Sequence, residues 1–227
     1  MKGGKCAMGI ILLVAAISAG CSDWRGFGFH ARGPEIARLR QVLALKAGMS
    51  VADVGAGNGE LTLALATEVG TRGRVFATEI DAESIEEIRA AVAKAKVDNV
   101  TVVQAQARDT GLPAGCCDAV ILRRVYHHLT NPVETDASLL RALRPSGTLA
   151  VIDFAPPLPW LWPWPPNGVP KNRAGHGVAA QLVVGEVTAS GFELVRVFDD
   201  WPGRWPLSSY CAVFRKPMED RPANARL

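Results

Sequence analysis

No run of lysine or arginine stands anywhere in the 227 residues, and the formal net charge is only +3. That excludes the clustered basic footprint of a nucleic-acid-binding protein. Metal-ligand spacings are missing too: there is no CxxC, HExxH or EF-hand pattern, and four histidines, two of them adjacent, do not make a zinc set. No metal is expected. Five cysteines are too few for a disulfide-stapled scaffold. Nor is there an internal repeat. What is present is apolar: 48% of residues are hydrophobic against 21% charged, which excludes intrinsic disorder. The length suits one α/β domain, or two small ones, with ample core.

Part of that apolar content stands at the N-terminus. Lys2 and Lys5 precede an apolar run from Ala7 to Ile17, followed by Ser18-Ala19-Gly20-Cys21. A basic start, a short apolar run and a small-residue site describe a secretory signal peptide, too short to span a bilayer as a helix. The Gly20-Cys21 ending resembles the lipobox of bacterial lipoproteins, so Cys21 is expected to become the lipidated first residue of a membrane-tethered envelope protein. Ser18, where leucine is commoner, leaves plain secretion and an uncleaved anchor as alternatives. Removing residues 1–20 takes two lysines and leaves a net charge of +1.

Residues 22–33 read as a linker. Pro34 opens a helical pattern with Ile36, Leu39, Val42, Leu43 and Leu45 roughly on one face. Strands and helices then alternate. Strands are predicted at 50–54, 74–80, 100–106, 118–123, 148–153, 193–198 and 210–215, with helices at 58–69, after Asp81, from Asn131 to near Arg144, and at 178–190. Asp81 can cap the third helix, and Asn131-Pro132-Val133-Glu134 combines a capping residue, proline at N1 and Glu at N3. Such alternation with apolar strands predicts a doubly wound parallel sheet covered on both faces.

The first strand runs into Asp53-Val54-Gly55-Ala56-Gly57-Asn58-Gly59-Glu60, and a helix follows. Glycines let the backbone turn sharply and approach a ligand, while the helix start offers N–H groups. The second strand ends at Glu79, 24 residues after Gly55, where a carboxylate can accept from both hydroxyls of a ribose. A dinucleotide fingerprint is G-x-G-x-x-G, but here Glu60 holds the sixth place and would repel a pyrophosphate. Asp53 adds negative charge suited to a cationic ligand. S-adenosylmethionine carries an ammonium and a sulfonium and no phosphate.

The loop Asp53–Gly59, Glu79, the segment Leu112–Val120, Tyr126-His127-His128-Leu129 and Leu143-Arg144-Pro145-Ser146-Gly147 together resemble class I S-adenosylmethionine-dependent methyltransferases. The likeness is nearest to the branch that includes quinone-biosynthesis and other small-molecule methyltransferases, and covers about residues 34–217. It implies a Rossmann-like seven-stranded sheet with helices on both faces and the last strand antiparallel beside the fifth. It also implies that Asp53, Gly55, Gly57 and Gly59 line the methionine part of the cofactor, Glu79 the ribose and Ile80 the adenine. The place after the third strand falls to Gln106 or Asp109, with Ala107 and Arg108 between, and Leu122 to Arg124, Arg123 among them, border the sulfonium side. The chain then divides into a signal peptide (1–20), a linker (21–33), a methyltransferase domain (34–217) and a tail (218–227).

Methyl transfer from a sulfonium needs no metal and no covalent enzyme intermediate, and a general base only where the acceptor loses a proton. The candidates are His127 or His128, Asp153 and His176, all at strand ends or a helix entry on the ligand edge. Adjacent residues in an extended stretch point opposite ways, so the two histidines are not expected to act together: one packs and hydrogen-bonds while the other faces solvent or ligand. Cys116, Cys117 and Cys211 read as packing residues. Pro156 to Pro170 holds seven prolines with Trp160, Trp162 and Trp164, a stiff loop that can serve as a lid, a membrane-dipping edge or a rigid cap. The expected function is methyl transfer to a small, apolar or lipid-like acceptor. A nicotinamide-dependent oxidoreductase and a catalytically idle nucleoside-binding module are the alternatives.

Overall fold

The computed structural model describes residues 33–156, 177–202 and 209–218. The elements in chain order are α1 (Gly33–Val42), β1 (Ser50–Val54), α2 (Glu60–Val69), β2 (Arg74–Glu79), α3 (Ala82–Ala95), β3 (Val100–Gln104), β4 (Cys117–Arg123), α4 (Pro132–Ala142), β5 (Leu143–Phe154), α5 (Ala180–Ala189), β6 (Glu193–Trp201) and β7 (Ser209–Arg215). Between β4 and α4 the chain makes a 3-10 turn at Tyr126–His128. The seven strands lie in the order β3-β2-β1-β4-β5-β7-β6. Pairing is parallel from β3 through β5, and β7 runs antiparallel to both β5 and β6. The doubly wound sheet with an inverted last strand is therefore as expected.

Alternation along each strand sends side chains into two apolar layers. On one face Ala52, Val54, Val120, Leu122 and Val151 pack with Leu139 of α4 and Val183 and Val187 of α5. On the other, Val51, Ala119, Ile121, Ala150 and Ile152 meet Leu39 of α1 and Leu61, Leu65 and Val69 of α2. Each fully buried leucine or valine contributes about 1.5–3 kcal/mol through removal from water. This two-sided burial is why β1 and β4 read as unbroken apolar runs rather than alternating ones.

The caps form as the sequence suggests: Asp81 accepts from Ser84 N (2.8 Å) and Asn131 from Glu134 N (3.4 Å). Several ends shift. Helix α1 starts at Gly33 rather than Pro34 and α2 at Glu60 rather than Asn58, because Gly57 and Gly59 hold left-handed φ of 55° and 77°. Strand β5 begins at Leu143, through the segment read as a turn, since Lys216 anchors that stretch: Lys216 N donates to Gly147 O (2.9 Å) and its Nζ to Leu143 O (2.8 Å). The Trp/Pro segment, His176 and the N-terminal segment with Cys21 lie outside the described residues.

Candidate active site

Strand order reverses at β1, flanked by β2 and β4, and ligands of open α/β sheets bind beyond the carboxyl ends of the strands at such a point. The glycine loop sits there. Gly55 N and Ala56 N donate to Thr78 O (2.9 and 3.0 Å), pinning the loop to β2. Gly55 takes φ 71°, and a Cβ on it would stand 2.4 Å from Val125 Cγ2, so the loop after β4 packs directly on its backbone. Gly57 differs: its φ is 55°, but a Cβ there would meet nothing within 4 Å. Open space thus lies over Gly57.

Glu79 borders that space. Its Oε2 accepts from Gly57 N (3.0 Å) and its Oε1 from Ile80 N (2.8 Å), so one carboxylate joins the loop to the end of β2. Ile80 is 54% exposed, a large apolar side chain at the rim where a flat ring could lie. Together these fit a nucleoside: space beside glycine backbone, a carboxylate for the ribose and an apolar face for the base. Gly59, the residue before helix α2, offers no side-chain cap, and Glu60 N at the first helical position donates to Asn58 Oδ1 (3.2 Å).

Asp53 lies beneath this cradle rather than on its surface, 1% exposed, with Oδ2 accepting from the Thr62 hydroxyl (2.7 Å). Burial pushes its carboxyl up to about 6, against the lowering effects of Thr62 and of the Arg123 charge. Of the two candidates after β3, Asp109 is committed elsewhere: it accepts from Gly111 N (2.8 Å), Ser138 Oγ (3.2 Å) and Arg141 Nη2 (2.8 Å), bracing the loop against α4. The hydrogen bond from Gly111 is the main reason its carboxyl is held below the usual range. Gln106 and Ala107 are exposed beside the end of β3, with Gln106 bridged to Asp109.

Arg123 is held from the other side of the sheet. Its Nε donates to Glu35 Oε2 (3.1 Å), and Glu35 Oε1 accepts from Trp201 Nε1 (3.1 Å). Glu35 is 5% exposed although it carries a charge. Sequence reading missed it, yet Glu35, Leu39 and Val42 share the i, i+4, i+7 stripe of α1, the signal that would have placed it inward. The next residue, Arg124, has φ 61°, donates from its N to Ile152 O (2.7 Å) and lays its guanidinium over Phe154 (5.1 Å). Burial first, and the neighbouring Arg123 charge second, hold Arg124 below its ordinary value.

The ends of β4 and β5 bring His127 and Asp153 together. His127 Nδ1 stands 2.9 and 3.0 Å from the two oxygens of Asp153, which also accept from His127 N (3.1 Å) and Phe154 N (2.9 Å). Asp153 is fully buried and His127 6% exposed. With Asp153 ionised, Nδ1 carries the hydrogen and Nε2 the lone pair, the state of a base oriented by a carboxylate. Phe154 meets the imidazole edge-on (5.1 Å). The two histidines lie in a 3-10 turn, not the extended stretch expected, because Tyr126 is drawn inward to donate its hydroxyl to Asp136 Oδ2 (2.8 Å). His127 is buried and hydrogen-bonded, whereas His128 is exposed. Among the described residues no group of three or more His, Cys, Asp or Glu could hold a metal ion.

Residues 45–185 match a family model described as a methyltransferase domain. The chain is 30% identical over 157 residues to the ubiquinone/menaquinone biosynthesis C-methyltransferase UbiE of Shewanella pealeana, covering 69% of this chain and 62% of that one. A relative of the same name from Francisella philomiragia is 27% identical, covering 68% and 61%. The chain thus spans about three-fifths of the length of these curated relatives. Among solved structures it superposes on a SAM-dependent methyltransferase from Aquifex aeolicus with a TM-score of 0.64 at 23% identity, over 82% of this chain and 92% of that one. It superposes equally on the [4+2]-cyclase SpnF, with a TM-score of 0.67 at 15% identity over 81% of each chain. The shared fold therefore does not by itself name the reaction.

Proposed function

The chain belongs to the methyltransferase-domain family, whose cofactor is S-adenosylmethionine, and from that premise we propose that it methylates a small, apolar or lipid-like acceptor whose reacting atom loses a proton. The observation that carries this reading is the buried His127–Asp153 pair at the same sheet edge as the glycine loop. When bound, the cofactor supplies an electrophilic methyl group on a sulfonium. Gly55, Gly57 and Gly59 would take its methionine part, Glu79 the ribose, Ile80 the adenine, and Gln106 and Ala107 the rim beyond it. Asp53, beneath the loop, favours a cationic ligand once ionised. His127 Nε2 takes the proton that the acceptor gives up, and Asp153 holds the ring in the tautomer that can do so. Positioning carries much of the remaining rate, since oriented pairs reach effective molarities of roughly 10⁵ M or more.

The acceptor class rests on two supports: the names of the curated relatives, and the tryptophan-rich sequence after β5. Membrane attachment through Cys21 and export to the envelope rest on the N-terminal sequence alone. Mass spectrometry of the mature N-terminus is expected to find a lipidated Cys21, and an intact Met1 refutes cleavage. Among the described residues no helix is long and apolar enough to cross a membrane.

The function is tested with labelled S-adenosylmethionine and a membrane-lipid extract. Label is expected in the lipid fraction, and Asp153→Asn is expected to lower kcat about 10²- to 10⁴-fold with little change in affinity for S-adenosylhomocysteine. Transfer by Asp153→Asn at the wild-type rate overturns the base assignment. Binding of S-adenosylhomocysteine without transfer to any of a broad set of acceptors favours the idle nucleoside-binding module.

A further inference from the structure

Cys116 and Cys117 stand at the turn into β4, at the sheet edge opposite the glycine loop. In an extended strand neighbouring side chains point to opposite faces. Here Gly115 takes φ 59° just ahead of the pair, and the two Sγ atoms lie 2.8 Å apart, less than about 1 Å beyond disulfide bonding distance. The two sulfurs differ in access: Cys117 is buried among the β4–β5 core residues, whereas Cys116 is partly exposed. The turn that presents them is braced on both sides. Gly115 N donates to Arg141 O (3.0 Å), Arg144 Nε donates to Gly115 O (3.2 Å), and Arg144 pairs with Asp118, which also accepts from Ser50 N (2.8 Å).

The chemistry of the pair is asymmetric as well. Its hydrogen bond with Cys117, together with the Arg144 charge, holds the Cys116 thiol below the usual value, while the same bond and burial push Cys117 up. An accessible sulfur that ionises readily, beside a shielded one that keeps its proton, is the arrangement of an attacking and a resolving thiol.

We propose that Cys116 and Cys117 form a redox-active dithiol that closes to a vicinal disulfide by exchange with a low-molecular-weight disulfide such as oxidised glutathione. The Cys116 thiolate attacks one sulfur of that disulfide, whose S–S bond breaks and releases one glutathione. Cys117 then gives up its proton and displaces the second glutathione from Cys116, forming the ring. The dithiol loses two electrons and two protons, and one glutathione disulfide becomes two glutathione thiols. Adjacent Cα atoms stand about 3.8 Å apart, shorter than the roughly 4.4–6.8 Å usual for disulfides, so the bond is strained and readily reduced. The length of β4 puts this chemistry roughly 20 Å from Arg123 and the opposite edge of the sheet.

The full chain is incubated, folded, in glutathione buffers of stepped redox ratio and then alkylated and digested with trypsin. The peptide Asp109–Arg123 contains both cysteines and no other. It is expected to lose two hydrogens and resist alkylation until reduced. Cys117→Ser is expected to trap one glutathione on Cys116, and Cys116→Ser to give neither product. Ring closure in the folded chain is expected to outpace closure in the excised peptide at least tenfold. The proposal is overturned if both thiols stay alkylatable in fully oxidised buffer, if each carries its own glutathione, or if folded chain and peptide close equally fast. Binding of S-adenosylhomocysteine, measured alongside, reports the state of the fold and is expected to be the same for both redox forms.

Discussion

Asp53 shows how much one buried carboxyl can decide. Its carboxyl sits at about 6 against an ordinary 3.8, so the folded chain binds that proton more tightly than the unfolded one does. The sign follows: between pH 3.8 and about 6 this group alone makes stability fall as pH rises, and above pH 6 the cost of the buried charge is fully present. Asp53→Asn is expected to remove that slope from denaturation curves taken across the same pH interval. A cationic ligand works the other way, favouring the ionised form. Titrations of S-adenosylmethionine below pH 6 are therefore expected to release protons, seen as buffer-dependent heats, and Asp53→Asn to release none at this site. Gly55 makes a second residue-scale case. Gly55→Ala adds left-handed strain to an overlap with Val125, and is expected to cost about 1–3 kcal/mol and most of the cofactor affinity. Val125→Ala in the same chain is expected to restore part of both, because it removes the two atoms nearest the added Cβ; no restoration would sink the packing explanation. The burial of Asp53 beneath the loop was hidden in the sequence, whereas Gly55, a glycine between strand and helix, was legible there. Glu35 was not, for an acidic residue in a first helical turn normally faces water, and its partners lie 88 and 166 positions away.

At the scale of elements, α1 owes its place to that charge as much as to its leucine. Glu35 joins Arg123 to Trp201, and Arg38 adds a pair with Asp200 (2.9 Å) while stacking over Trp201 (4.9 Å). Removing one partner of a buried pair leaves the other desolvated. Glu35→Ala is thus expected to destabilise the fold by about 3 kcal/mol, whereas Arg38→Lys, at a more exposed pair, is expected to shift Tm only slightly. An unchanged Tm for Glu35→Ala would mean that α1 does not depend on this contact. Elements with their own caps and stripes, such as α3 and α4, were readable at their starts. The 3-10 turn at His127 was not, because it is set by a tertiary bond from Tyr126 to Asp136 that no local pattern reveals.

For the whole molecule, the alternation of apolar strands and helices predicts a parallel sheet covered on both faces, and the family resemblance implies its inverted last strand, while the side-chain network follows from neither. One core residue tests how far the sheet holds together as a unit. Phe214 in β7 is fully buried and meets Phe192 edge-on (6.5 Å). Phe214→Ala is expected to cost about 3–5 kcal/mol, with far-ultraviolet dichroism and tryptophan fluorescence still changing together on denaturation. Two separate transitions would show that the β5-β7-β6 side melts independently of the glycine-loop side.

The position of β7 has a consequence for the order in which the protein becomes competent. Asp153 pairs in register with Tyr210, and Phe154 with Ser209, so the strand flanking this carboxylate is synthesised after the other six strands of the sheet. A nascent chain that has emerged only as far as β6 already contains the glycine loop, Glu79 and both members of the dyad. It still lacks the neighbour that closes the sheet over β5. Affinity for the nucleoside can thus arise during translation before catalysis, and the reaction waits on the emergence of β7.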